Sequence, residues 1–213
     1  RRPPLKSGFM PPEEAFSLLG SCGVPHAAVA VAQSVDEAVK AARRMRYPVA
    51  LKTADPDVLH KTETGGVVLG LANEQTLRKA WRAVKAKRCL VQKMAPAGTE
   101  VIIGARKDNE FGHVVLFGLG GILVELLKDT AMRVIPLSAK EAESMVLDIK
   151  AAGLLKGFRG SGPLDVKALG RCIEAVSKLL VAHPEIRNID ITPLILYGKG
   201  QGCIAVDAKI EVS

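Results

Sequence analysis

Between Tyr47 and Gly70 the chain gathers a lysine, a histidine and two adjacent glycines into one short stretch: Lys52, His60, Gly65 and Gly66. Those residue types suit phosphate. Lys52 closes an apolar run, Val49 to Leu51, and a lysine held by a strand offers a point charge to phosphate oxygens. Backbone N–H groups around Gly65 and Gly66 can approach an anion because no Cβ stands in the way. His60 adds a group able to carry a phosphoryl group or a proton near neutral pH. Singly, each residue has a plain structural reading, as a solvated strand lysine, a hairpin turn and a structural histidine. Their occurrence together within one hairpin shifts the reading toward phosphate chemistry.

Two further sets of residues bear on the same chemistry. Gly118, Gly120 and Gly121 follow a strand-like run and precede an apolar segment, so their N–H groups could hold an anion, although tight turning explains the cluster about as well. Asp190 and Asp207 lie on what reads as a terminal hairpin, where either carboxylate could hold a hard cation. Cys22, Cys89, Cys172 and Cys203 are widely spaced and form no Cys-x-x-Cys, which points to small core residues rather than a zinc site or a disulfide framework.

Composition narrows the class. The 213 residues are 48% hydrophobic, ample for a packed core in one large domain or two lobes. No apolar run reaches the length of a bilayer span, and the basic start Arg1-Arg2-Pro3-Pro4-Leu5-Lys6 lacks the apolar core of a signal peptide, so a cytoplasmic protein with no membrane partner is expected. A net charge of +8 suits an anionic partner or substrate, but the basic residues are scattered along the chain and only 4% of residues are aromatic. A base-stacking surface is therefore poorly supported, and no nucleic-acid partner is expected.

The elements that must position these residues read as alternating helices and strands. Pro12, Glu13 and Glu14 open a helix that stops near Gly20 to Gly23; Val29 and Val31 mark a strand, and Ser34 caps a helix to about Met45. Val49 to Leu51 pairs with Val67 to Leu71, a helix follows Asn73, and Cys89 to Met94 is a strand running into a hinge at Ala95 to Gly98. Thr99 to Arg106 and Phe111 to Phe117 form a hairpin, and Met132 to Leu137 a short strand. Ser138 opens a helix to about Lys150 with an imperfect capping box, Gly153 to Pro163 is a loop, and Asp165 to Val181 is an amphipathic helix. Ile186 to Tyr197 and Cys203 to Ile210 make the terminal hairpin. The fold class expected is α+β or α/β, with an N-terminal extension over 1–10, one lobe over 11–93 and a second over 94–213.

Taken in order, Pro48-Val49-Ala50-Leu51-Lys52, the run His60 to Val67, Val91-Gln92-Lys93-Met94, Gly98-Thr99-Glu100 to Gly104, Phe111-Gly112 with Phe117 to Gly121, Asp190-Ile191-Thr192-Pro193-Leu194 and Val206-Asp207-Ala208-Lys209 resemble the ATP-grasp domain of nucleoside-diphosphate-forming acyl-CoA synthetases. The resemblance spans about residues 11 to 212, and the number and order of the motifs make it specific. It implies an ATP-grasp fold of two α+β lobes with the nucleotide between them, and a reversible reaction linking acyl-CoA, ADP and phosphate to a free acid, CoA and ATP. It also implies ATP or ADP and Mg²⁺ as cofactors. By motif, Lys52 would bind the nucleotide phosphates, and Gln92, Lys93, Met94 and Ala95 would form a hinge touching adenine through their backbone. Glu100 would sit at the ribose, His60 would relay the phosphoryl group, and Asp207 would bind Mg²⁺. Thr192 stands where the family has Asn, and its hydroxyl is a weaker Mg²⁺ ligand than an amide oxygen. The implied chemistry, acetyl-CoA in type, needs a CoA-binding α subunit or fused CoA-binding domain to supply acyl-CoA and phosphate, because that module's dinucleotide-type glycine pattern is missing here. The competing class is a regulatory ATP-grasp domain of a fused acyltransferase that has lost turnover.

Overall fold

The computed structural model describes residues 5–54, 66–84, 86–121, 129–158 and 160–213. The chain divides into two compact units that are not continuous in sequence: a larger one of Arg1–Met10, Leu18–His26 and Ala97–Ser213, and a smaller one of Pro11–Ser17 and Ala27–Pro96. Every named strand pair is antiparallel, which makes each unit α+β.

In the larger unit β1 (Gly8–Phe9) pairs with β11 (Lys209–Val212), so the residues expected to be an extension supply an edge strand. Helix α1 (Pro12–Ser21) opens with Glu13 and Glu14 in its first turn, where the helix dipole favours acids.

The smaller unit contains β2 (Val29–Ala32), α2 (Val35–Met45), β3 (Val49–Thr53), β4 (Val67–Leu71), α3 (Glu74–Val84) and β5 (Cys89–Lys93). Its sheet runs in the order β2-β5-β3-β4. Ser34 Oγ accepts the Glu37 N–H at 3.3 Å and Asn73 Oδ1 accepts the Thr76 N–H at 3.0 Å, so both helices start on side-chain caps. Alternation along the central strands then sorts the side chains. Val49, Leu51, Cys89 and Val91 pack with Ala38, Ala42, Leu77 and Ala80 into the core under the helices. Leu51→Ala would leave a cavity there and cost about 2–5 kcal/mol. The opposite face carries Ala50, Lys52, Leu90 and Gln92.

The sheet of the larger unit runs β1-β11-β9-β6-β7-β8, where β6 is Thr99–Asp108, β7 Gly112–Leu119, β8 Thr130–Val134 and β9 Ile186–Leu196; β10 (Cys203–Ala205) also pairs with β9. Helices α4 (Ala139–Leu147), α5 (Ala152–Leu155) and α6 (Val166–Ala182) belong to this unit, with α4 packed along α6. Val101, Ile103 and Ala105 of β6 are buried, and the alternate positions Glu100, Ile102 and Gly104 line the other face.

Three local expectations are corrected. The capping box at Ser138 is complete: Ser138 Oγ accepts the Glu141 N–H at 3.3 Å, and Glu141 Oε2 accepts the Ser138 N–H at 2.8 Å. The helix it opens stops at Leu147, and the stretch expected to be wholly loop from Gly153 contains the end of α5. The terminal hairpin is not continuous, because its return strand breaks between β10 and β11. At that break the Val206 N–H donates to the Pro193 carbonyl at 3.0 Å, and Asp207 lies inside it.

Candidate functional site

Lys52 sits on β3 between two partners, opposite Val67 of β4 and Leu90 of β5, and is only 6% exposed. A lysine on an inner strand of a four-stranded sheet is an unusual placement, since lysines are mostly exposed. Gln92 lies opposite Ala50 on the same face and is 1% exposed. Neither its Oε1 nor its Nε2 has a hydrogen-bond partner among the described residues. An orphaned buried amide costs about 1–3 kcal/mol, so its retention calls for an explanation. A polar ligand on this face would satisfy it.

The hinge residues divide. The Lys93 N–H donates to the Ala28 carbonyl at 2.9 Å and its Nζ to the Arg46 carbonyl at 2.8 Å, so Lys93 is anchored within its own unit. The Met94 N–H donates to the Pro48 carbonyl at 3.2 Å. Both amides are thus engaged before any ligand arrives. Ala95 follows at intermediate exposure. Gly66 holds the near end of the β3–β4 connection, its carbonyl accepting the Thr53 N–H at 2.7 Å. His60 and Gly65 lie outside the described residues.

In the larger unit Glu100, Asp190 and Thr192 are exposed strand positions, and the other predicted residues lie on or beside the same sheet. Glu100 and Gly120 are joined through the backbone, the Gly120 N–H donating to the Glu100 carbonyl at 2.7 Å. A Cβ on Gly120 would lie 2.9 Å from the Glu100 Cβ and 3.0 Å from its carbonyl, so this glycine is required by close approach; Gly121 has a left-handed φ of +68°. Gly118 is a buried ladder residue of β7, opposite Ile102 and Thr130. The glycine cluster is therefore part strand and part turn, and the turn is fastened to Glu100.

On β9 the alternation that buries Ile189 and Ile191 exposes Asp190 and Thr192. The Thr192 hydroxyl donates to Asp190 Oδ1 at 2.6 Å. Asp190 lies opposite Gly104 on one side and Lys209 on the other. The Val206–Pro193 hydrogen bond brings the segment holding Asp207 alongside Thr192 and Pro193 of β9. Among the described residues no three His, Cys, Asp or Glu side chains cluster to hold a metal. Two carboxylates and a hydroxyl suit Mg²⁺, which keeps waters and takes substrate phosphate oxygens rather than a full protein cage. Next to this edge, a cavity of about 470 Å³ opens over Ile102, Gly104, Val114, Leu116, Met132 and Asp190. Its floor is apolar, and Arg106, Asn188 and Asp190 supply the polar groups of its lining.

Sequence reasoning missed two arrangements. The Sγ atoms of Cys172 and Cys203, far apart in sequence, lie 3.3 Å apart in the core, and that hydrogen bond with burial pushes the Cys172 thiol well up. The Tyr47 hydroxyl is also buried without a described partner. Neither carried a signal in sequence spacing.

Residues 6–212 match the ATP-grasp domain family. The β subunit of an ADP-forming acetate–CoA ligase II from Pyrococcus furiosus is 38% identical over 209 residues, covering 92% of this chain and 89% of that one. An ADP-forming 4-hydroxybutyrate–CoA ligase from Nitrosopumilus maritimus is 36% identical over 93% of this chain, and there the matched region is 30% of a longer polypeptide. Among solved structures, the Ca. Korarchaeum cryptofilum dinucleotide forming acetyl-coenzyme A synthetase 1 is similar with a TM-score of 0.87 and 40% identity, covering 97% of this chain and 93% of that one. That structure is a complex with coenzyme A and Mg-AMPPCP, its phosphohistidine segment pointing towards the nucleotide binding site. This chain belongs to the ATP-grasp family, in the branch formed by the β subunits and β-type domains of ADP-forming acyl-CoA ligases. Relatives thus occur both as separate subunits and as parts of longer chains. Among the described residues no helix is long and apolar enough to cross a membrane.

Proposed function

We propose that this chain is the nucleotide-binding and phosphoryl-transfer module of an ADP-forming acyl-CoA synthetase of the acetyl-CoA type, working with a CoA-binding subunit or domain. The observation that carries the reading is the pairing of buried Lys52 with the orphaned amide of Gln92 on one sheet face, in a chain 38% identical to such a β subunit. Phosphoryl transfer asks mainly for positioning and for neutralisation of spread negative charge. Lys52 supplies a fixed counter-charge from a strand. Gln92 gives the same face a donor and an acceptor, and the exposed Glu100 carboxylate is the group for the ribose hydroxyls.

Asp207, Asp190 and Thr192 are the oxygen donors suited to Mg²⁺, which when bound neutralises charge on the transferring phosphate. His60 is the residue for the relay: a neutral imidazole nitrogen takes the phosphoryl group from the partner's phosphohistidine and passes it to ADP. A non-catalytic, nucleotide-sensing domain is the second reading, and the specific feature in its favour is Thr192, whose hydroxyl is already donated to Asp190.

One experiment separates these readings. The chain is combined with its CoA-binding partner, radiolabelled ATP and Mg²⁺, and acid-labile phosphate is followed in wild type and His60→Ala. The relay predicts loss of transfer with ATP binding retained; full transfer by His60→Ala removes His60 from the mechanism, and no transfer by wild type supports the sensing domain. Asp207→Asn should abolish the Mg²⁺ dependence of ATP binding, and Thr192→Asn should strengthen it. An unchanged Mg²⁺ dependence in Asp207→Asn would place the metal elsewhere.

A further inference from the structure

Several cations of the chain are matched to nearby oxygens. Arg43 and Arg78 share Glu74, Arg88 pairs with Glu13, Arg133 with Asp148 and Lys178 with Glu174. Lys93 and Lys107 donate to backbone carbonyls. Around one cleft of the larger unit four cations come together. Lys156, Lys167, Arg171 and Lys199 line a cavity of about 540 Å³, and none of the four forms a salt bridge or a side-chain hydrogen bond with another described residue.

The frame that carries these cations is pinned together by backbone hydrogen bonds. Leu164 N–H donates to the Leu155 carbonyl, Lys199 N–H to the Pro163 carbonyl and Asp165 N–H to the Tyr197 carbonyl, each at 2.9 Å. The end of α5, the start of α6 and the turn after β9 therefore hold the four charges on one preorganised rim. Two carboxylates also line the cleft, and one of them is engaged within the fold. Asp165 accepts from the Ala168 N–H at 3.0 Å and the Gly202 N–H at 2.9 Å, and so caps α6 itself. Burial works against its charged form, but these N–H donors and the Arg171 charge outweigh that and hold its carboxyl below the usual range. The Glu143 stem packs against Gly170, where an added Cβ would lie 2.6 Å from Cγ. Four cations against two carboxylates leave an excess of positive charge over an apolar floor that includes Leu155 and Leu164.

Unmatched like charges gathered on a rigid rim repel one another, and an anion of matching charge relieves that repulsion. We propose that this cleft is a second ligand site, binding a small molecule that carries two or more phosphate groups. The cavity volume lies within the range of small-molecule sites, of the order of 300–1,000 Å³. Three of the four cations are lysines, whose compact charges accept phosphate oxygens from several directions. None of the lining residues belongs to the set assigned to the nucleotide, so the proposal does not rest on that assignment.

Titration of the isotopically labelled full chain with inorganic pyrophosphate, followed by amide chemical shifts, tests it directly. Lys167, Lys199 and Gly200 signals should shift saturably, and in Lys52→Ala they should shift equally. Lys156→Gln, Arg171→Gln and Lys199→Gln, three exposed positions whose folding is checked by thermal melts, should each weaken that binding about tenfold. Shifts confined to other regions, or unchanged affinity in the variants that fold, would overturn the site. Equal binding of citrate would overturn phosphate as the class, and shifts by a polyglutamate peptide but not by pyrophosphate would reassign the cleft to an acidic protein segment.

Discussion

The two units hold their polar groups in opposite ways. In the smaller unit polar groups are drawn inside: Lys52 and Gln92 are buried on strands, while the arginines Arg43, Arg78 and Arg88 are tied to Glu74, Asp36 and Glu13. In the larger unit Glu100, Asp190 and Thr192 stand on an exposed strand face, and four cations around the α6 cleft are left unmatched. Burial makes a polar group costly when alone and strong when paired, whereas exposure keeps it cheap and weak. The smaller unit thus keeps its polar strand groups desolvated, and the larger keeps them solvated.

The largest expected effect is at Lys52. Lys52→Ala should weaken Mg-ATP binding by about 1.5–3 kcal/mol, the loss of a charge-assisted contact, as measured by calorimetry. Unchanged affinity in a folded variant would break the contrast by removing the buried charge from the site.

On the larger unit's side, Gly120→Ala forces a methyl group to within 2.9 Å of Glu100. It should cost about 1–3 kcal/mol of stability in denaturant titration, as overpacking against backbone does. No loss would mean that the turn relaxes freely and is not fixed to Glu100.

Gln92→Leu sharpens the comparison because stability and binding should move apart. Replacing an unpartnered buried amide by an apolar group of similar size should raise the stability of the free chain by about 1 kcal/mol while weakening nucleotide binding. A lower melting temperature would show that the amide is satisfied in the free protein.

The smallest effect concerns the surface pairs. Hydrogen bonds from Arg78 and then Arg43 hold the Glu74 carboxyl below its ordinary value. A depressed carboxylate contributes stability that is present above its unfolded value and lost as pH falls through the folded one. Denaturation midpoints between about pH 6 and about pH 3 should therefore fall slightly less steeply in Glu74→Gln than in wild type. Identical slopes would show that even this network is screened by solvent.

Much of the fold was legible because local patterns and tertiary packing agree. The apolar alternation at Val49 to Leu51 and Cys89 to Val91 marks strands, and Ser34 and Asn73 mark helix starts, since capping and period are properties of a few neighbouring residues. The break between β10 and β11 was not legible: Cys203 to Ile210 reads as one strand, but its pairing with β9 lapses between Ala205 and Lys209 and resumes in the same register. The short helix at Ala152–Leu155 was hidden by Gly153 and Gly157, whose low helix propensity is overridden by burial of Ala152 and Leu155.

By itself, then, the sequence determined the residue types, their order and the elements that carry them, which sufficed to name Lys52, Gln92, Glu100 and Asp207 through the family resemblance. Tertiary structure alone decided which groups are desolvated and which meet. The orphaned amide of Gln92, the fastening of Gly120 to Glu100, the Cys172–Cys203 contact and the gathering of Lys156, Lys167, Arg171 and Lys199 join residues up to dozens of positions apart. Basic residues that look scattered along the chain converge on one cleft because backbone pairing between distant segments sets their neighbours, and no local pattern records that pairing.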